Sequence, residues 1–255
     1  MRLIDSHAHL DDCAYRADRA AVIARAFAEE IGIITIGSDL RSSREAVYLA
    51  ERHRRIWAAV GGHPHGAKHV DASALEEFER LATRDVVVAI GEIGLDYYRD
   101  LSPRDVQRKA FRKQLDLAHR LNLPVCLHNR ESTGDLFAIL RDAGAVHRGV
   151  VHSFLGDTQL AQEFLDLGLH LGVGGPVTFP KNAALREAVK DVPVEQLLIE
   201  TDCPYLTPVP YRGRRNEPSH VRYVADEIAR VKGMSVGDIS RRTTENAVRL
   251  FGLTI

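Results

Sequence analysis

Two histidines one residue apart close the first apolar stretch of the chain, Leu3-Ile4-Asp5-Ser6-His7-Ala8-His9. In an extended backbone residues i and i+2 project to the same side, so His7 and His9 can aim two imidazoles at one point. A divalent metal ion needs that arrangement, although two ordinary polar residues at a strand end would look the same. Other apolar runs end in a similar way: VVVAIGE at Glu92, LPVCLH at His128, GVVH at His152 and LLIETD at Asp202. Any one of these reads as a satisfied polar terminus. Six such residues at the same end of five runs point to a shared partner, because unpaired buried polar groups are costly. Six donors exceed the needs of one tetrahedral ion and suit two divalent ions; Mg, Mn, Zn and Co are all compatible with mixed imidazole and carboxylate ligation. Glu92, on a central strand, is the expected bridging carboxylate. Asp202 is either a ligand or the general base that takes a proton from water.

Elements of regular period must position these groups. Strand-like runs are read at 2–7, 31–37, 57–62, 86–92, 123–128, 149–152, 169–174 and 197–202, several of them nearly continuous Val, Ile and Leu. Helical patterns separate them. The clearest is SPRDVQRKAFRKQLDLAHRLN, with Ser102 as N-cap, Pro103 at the first helical position and Asp105 in the first turn. Its apolar stripe is Val106, Ala110, Phe111, Leu115, Leu117, Ala118 and Leu121. Alternating β and α units predict an α/β fold, a (β/α)8 TIM barrel forming a single domain over residues 1–255. The carboxyl ends of barrel strands share one face, where active sites lie. An open doubly wound sheet would instead carry a glycine-rich phosphate turn after the first strand, where DSHAHL stands.

The chain has 255 residues, 45% of them hydrophobic, and a net charge of −1, which excludes a protein that coats polyanions generally. Contact with nucleic acid must then come from local patches. Arg212, Arg214 and Arg215 beside Tyr211, in the loop after the last strand, form one such cluster. Arg130, two residues beyond His128, can make a bidentate phosphate contact or a surface ion pair. Tyr97 and Tyr98, followed by Arg99, can stack a splayed base, which favours single strands, or pack a loop. His63, in GGHPH, ends the third strand as a phosphate donor or a supporting group, and His65 is a weaker candidate. Three cysteines without CxxC spacing fit a reducing cytoplasm; Cys126 is expected to face the interior, Cys203 to point outward, and Trp57 to be core. No apolar run resembles a signal peptide or a membrane span, so a cytoplasmic monomer without membrane contact is expected.

The segments DSHAHLD, GGHPH, GEIGLDYYRD, LPVCLHNRE, VVHSFLGD and ETDCPYLTPVPYRGRRNEPSHV, in this order up to ENAVRLFG, resemble the signatures of TatD-family metal-dependent nucleases of the amidohydrolase superfamily. The resemblance implies a (β/α)8 barrel, divalent metals and hydrolysis of nucleic-acid phosphodiesters, as a 3′→5′ exonuclease acting on single-stranded DNA in preference to RNA. It matches His7 and His9 to the HxH pair, Glu92 to the shared carboxylate, His128 and His152 to the second-metal imidazoles, and Asp202 to the acid after the eighth strand. The sequence departs at HNREST, where the family more usually has His-Ser-Arg-Glu-Ala, and at HSF, where it often has His-Cys-Phe. Both changes neighbour ligands and bear on substrate preference. An aminoacyl-tRNA deacylase and a small-molecule ester or amide hydrolase of the superfamily are the alternatives. Many of the latter use a carboxylated lysine as bridge, whereas the fourth strand here supplies Glu92.

Overall fold

Runs of Val, Ile and Leu become strands buried over most of their length. The computed structural model describes residues 3–144 and 147–255; Arg2, where the first strand is read to begin, lies outside the described residues. Strands and helices alternate: β1 (Leu3–Ala8), α1 (Arg19–Ala28), β2 (Ile31–Ile36), α2 (Leu40–Arg52), β3 (Ile56–Val60), α3 (Ala72–Ala82) and β4 (Val87–Asp96). Then come α4 (Arg104–Leu121), β5 (Val125–Arg130), α5 (Thr133–Ala143), β6 (Gly149–Val151), α6 (Thr158–Asp166), β7 (Leu169–Val173), α7 (Ala183–Asp191) and β8 (Leu197–Ile199), followed by α8 (Val221–Lys232) and α9 (Val236–Phe251). The strands form one sheet in sequence order. Ala8 bridges Cys203 in parallel sense, so the chain leaving β8 returns to β1. This is the (β/α)8 barrel topology that the alternation predicts. Among the described residues, no helix is long and apolar enough to cross a membrane.

The chain falls into two compact units. One contains the chain up to Thr35 with His152–Asp166 and His170–Ile255; the other contains Ile36–Val151 and Leu167–Leu169. In the first, Ser235 accepts from the Asp238 amide to cap α9, which ends at Gly252 in the left-handed region (φ 65°). In the second, Asp39 and Ser42 form a capping box on α2.

Several boundaries differ from the sequence reading. β4 runs four residues past Glu92 to Asp96, and β5 runs two past His128 to Arg130. β8 stops at Ile199, so Asp202 lies in the turn beyond it, at φ 53°. β3 stops at Val60, and His63 precedes a 3-10 turn over Pro64–His69 rather than ending the strand. Ser102 does not cap α4: its hydroxyl donates to the His65 carbonyl at 2.8 Å, and Pro103 occupies the cap position. Gln107 and Gln114 are buried on α4 beside the predicted stripe, while Val106 and Leu121 are only half-buried. Periodicity alone scores glutamine as polar and misses both. Trp57, Cys126 and Cys203 are buried; Cys203 is not turned outward, because the turn after β8 ends the alternation.

Candidate metal centre

In the first unit, backbone bonds interleave the His-X-His segment with the turn after β8. The Asp202 amide donates to the His7 carbonyl and the His9 amide to the Cys203 carbonyl, each at 2.9 Å. Asp5 fastens the same junction. It accepts from the Thr201 amide at 2.9 Å and faces the Thr201 hydroxyl at 2.6 Å. Its complete burial pushes its pKa up to about 8 despite these bonds. Asp202 tolerates its left-handed backbone better than most residues would. The result brings three donor atoms together. His7 Nε2 lies 3.3 Å from His9 Nε2, and Asp202 Oδ1 lies 3.5 Å from His9 Nε2 and 3.9 Å from His7 Nε2. Metal–ligand bonds of about 2.0–2.2 Å put neighbouring donors roughly 3–3.5 Å apart. Two of the three separations lie in that range and the one between His7 and Asp202, at 3.9 Å, is slightly wider, so a small inward shift would close the set on one divalent ion. Burial works to raise the Asp202 pKa, but its contact with His9 and the nearby His152 and His7 bring it below the usual carboxylate range.

His152 directly follows β6. Its ring stacks on that of His7 with centroids 3.9 Å apart. Its Nδ1 is 3.7 Å from Oε1 of Glu200, which also accepts from the Ser153 amide at 2.5 Å. The sequence reading passed over Glu200, which is fully buried. The signal was present: it is the first acid of Glu-Thr-Asp, at the end of an apolar run.

The second unit holds the other cluster. Glu92 sits where the β4–β5 register slips between Ile90 and Ile93. Such an irregularity re-aims a side chain. Its Oε1 is 2.8 Å from His128 Nδ1 and 3.5 Å from His63 Nε2. The other ring nitrogen of His128 faces Asp96 Oδ2 at 3.1 Å. A neutral imidazole that donates Nε2–H to Asp96 presents the Nδ1 lone pair beside Glu92, the arrangement common for metal-bound histidine. Asp96 was also passed over by the sequence reading, because β4 was taken to end at Glu92. Its Oδ2 contacts His65 Nε2 at 2.8 Å as well.

His63 differs in character from these. Burial pushes its pKa down to about 4, so it is neutral near pH 7. Its Nδ1 accepts the His65 amide at 3.1 Å, which leaves the proton on Nε2. His63 therefore presents an N–H donor toward Glu92 rather than a lone pair.

Two features hold these groups in register. At Gly94 (φ 139°) a Cβ would overlap the His128 carbonyl oxygen and sit 3.0 Å from its N and C. Gly94→Ala is expected to push β4 from β5 at His128 and destabilise the protein by about 1–3 kcal/mol, read as a lowered thermal midpoint together with reduced bound metal. The second feature is the buried glutamine pair. Gln114 accepts from the Gly62 amide at 2.7 Å and donates to the Gly62 carbonyl at 3.0 Å, clamping the residue before His63. Gln107 accepts from the Asp96 amide at 2.9 Å and donates to the Ser102 carbonyl at 2.8 Å. Gln114→Leu removes both Gly62 partners and is expected to cost about 2 kcal/mol or more, measurable by denaturant unfolding.

The arginines proposed for substrate are differently placed. Arg215 makes a two-pronged pair with Asp18, at 2.8 and 2.7 Å. Arg212 lies over the Phe179 ring at 3.9 Å and Arg214 stands 5.9 Å from the Tyr211 ring, neither with a carboxylate partner among the described residues. Tyr211 stacks on His220 with centroids 4.9 Å apart.

This donor set can be compared with known proteins. The profile of the family described as TatD related DNase matches residues 4–252. A Bacillus subtilis relative, the uncharacterized metal-dependent hydrolase YabD, is 45% identical over 98% of each chain. A Pantoea ananatis relative named 3′-5′ ssDNA/RNA exonuclease TatD is 38% identical, over 98% of this chain and all of that one. The crystal structure of the Escherichia coli TatD homologue YJJV superposes with a TM-score of 0.92 at 31% identity, covering 99% of both chains. Full-length agreement in sequence and in fold, together with two imidazole–carboxylate clusters, places this chain in the TatD family of metal-dependent hydrolases.

Proposed function

We propose that the protein is a divalent-metal-dependent nuclease that hydrolyses phosphodiester bonds, acting as a 3′→5′ exonuclease on single-stranded DNA. The observation that carries this reading is the grouping of His7 Nε2, His9 Nε2 and Asp202 Oδ1 within 3.9 Å of one another, a set of lone pairs aimed at one point. The exonuclease name of the Pantoea ananatis relative supports the substrate class. Bound divalent ions would acidify water and neutralise the phosphoryl oxygens.

We assign two ions. His7, His9 and Asp202 hold one. His128, with His152, would serve the other, and Glu92 would supply its carboxylate to the metals. Asp202 is also assigned as the base that takes a proton from the attacking water. His63 donates its Nε2–H to a phosphoryl oxygen, a role open to a neutral imidazole with this tautomer. Arg130, Arg212 and Arg214 are assigned to the strand as cations for phosphates, and the Tyr97–Tyr98 turn as the aromatic face for a base. The protein is proposed to work as a cytoplasmic monomer.

Single-stranded DNA labelled at the 3′ or the 5′ end, incubated with Mg²⁺ or Mn²⁺ separately, tests the reading. Stepwise shortening from the 3′ end that needs the metal is expected. Intact DNA with both metals, from folded protein, would refute it and turn attention to RNA, aminoacyl-tRNA or small esters.

A further inference from the structure

The turn after β4 carries two adjacent tyrosines in opposite settings. Tyr97 is committed. Its hydroxyl donates to Asp135 at 2.5 Å, and the Arg104 guanidinium lies over its ring at 4.4 Å. The cations around it are neutralised: Arg104 meets Asp100 at 3.1 Å and Arg108 meets Asp135 at 2.9 Å. Tyr98 is 54% exposed. The Arg130 guanidinium lies 3.9 Å over its ring and that of Arg99 stands at 5.9 Å. Neither guanidinium meets a carboxylate among the described residues. Two guanidiniums without a carboxylate partner among the described residues thus flank one exposed aromatic ring.

The same turn is tied to the metal cluster through one buried carboxylate. Asp96 Oδ1 accepts from the Tyr98 amide at 3.0 Å and from the Arg99 amide at 2.7 Å. Its Oδ2 faces His128 Nε2 at 3.1 Å. The Tyr97 amide donates to the Arg130 carbonyl at 2.9 Å, which fixes the Arg130 backbone against the turn. The backbone that carries the Tyr98 ring, Arg130 and the His128 imidazole is therefore bonded into one unit.

We infer that Tyr98, with Arg130 and Arg99, is a subsite for one unpaired nucleotide, the base stacking on the Tyr98–Arg130 surface and its phosphate meeting the guanidiniums. The inference rests on the nuclease reading and deepens it. It moves the stacking role from Tyr97 to Tyr98, because the Tyr97 hydroxyl is bound to Asp135 and Tyr97 is the less exposed of the two. A free base has a π face for the ring and a phosphate for the cations, so one ligand answers both features. A cationic ligand would be repelled, and a single exposed tyrosine offers too little apolar area for a membrane.

The test is a cycle between protein and substrate. KM is measured for labelled single-stranded oligonucleotides carrying an abasic site at successive positions from the 3′ end, with wild type, Tyr98→Ala and Tyr98→Phe. Tyr98→Ala is expected to raise KM about tenfold on the intact strand, from the usual worth of one base–aromatic stack. At one position the abasic site should cost wild type a similar factor and cost Tyr98→Ala nothing more, while Tyr98→Phe, which keeps the ring, should behave as wild type. A purely structural role for Tyr98 would leave the abasic penalty intact in Tyr98→Ala, and that result overturns the subsite. Wild type that shortens the strand while Tyr98→Ala shows an unchanged KM overturns the subsite alone. Wild type that shortens no strand with either metal overturns the nuclease reading beneath it.

Discussion

Glu92→Gln is expected to lower turnover by about 10³-fold or more while the protein stays folded. The substitution keeps the volume and removes the charge. Glu92 is 2% exposed and its Oε1 lies 2.8 Å from His128 Nδ1 and 3.5 Å from His63 Nε2. A neutral amide there is a poor ligand for a hard cation, and a metal's stabilisation of transition-state charge amounts to several kcal/mol, or roughly 10³ in rate. Bound metal, measured by elemental analysis, should fall with turnover. Near wild-type rates at full metal content would remove Glu92 from the ligand set. A loss of both activity and fold, seen by circular dichroism, would instead assign it a structural role.

Asp202→Asn is the second large effect, and it separates two roles for one carboxylate. Asparagine tolerates the left-handed backbone of this position, so the turn should survive. Turnover is expected to drop about 10²–10³-fold in either case. If Asp202 acts mainly as a base, the metal content stays at the wild-type value. If it acts mainly as a ligand beside His7 and His9, the content falls and higher metal concentrations restore part of the rate. Unchanged turnover would exclude both roles. The contacts at 3.5 Å to His9 and 3.9 Å to His7 favour ligation.

The sequence by itself determined the kinds of element and their order. Buried strands need apolar residues on both faces, and helices need a 3.6-residue stripe; both patterns are local and survive in the letters. It also determined the donor types, because six imidazoles and carboxylates closing apolar runs at the same end are unusual together. The spacing of His7 and His9 was enough to bring their Nε2 atoms to 3.3 Å.

Only the tertiary structure decided where the strands stop and what each donor faces. Glu92 sits inside β4, at a slip in the pairing with β5 that no single-strand pattern records. Asp202 reaches the His-X-His pair from a turn beyond β8, its distance from His9 along the chain made irrelevant by the pairing of that turn with β1. Asp96 and Glu200 each face an imidazole from a strand end that the apolar pattern placed elsewhere or passed over. Gln107 and Gln114 look polar and are buried, because their amides complete backbone bonds, Gln107 at the end of β4 and Gln114 at Gly62 beyond β3. Tyr97 and Tyr98 are the same residue type side by side, and only their neighbours distinguish them. Burial and hydrogen-bond satisfaction are set by partners far apart in sequence, and strand pairing chooses those partners.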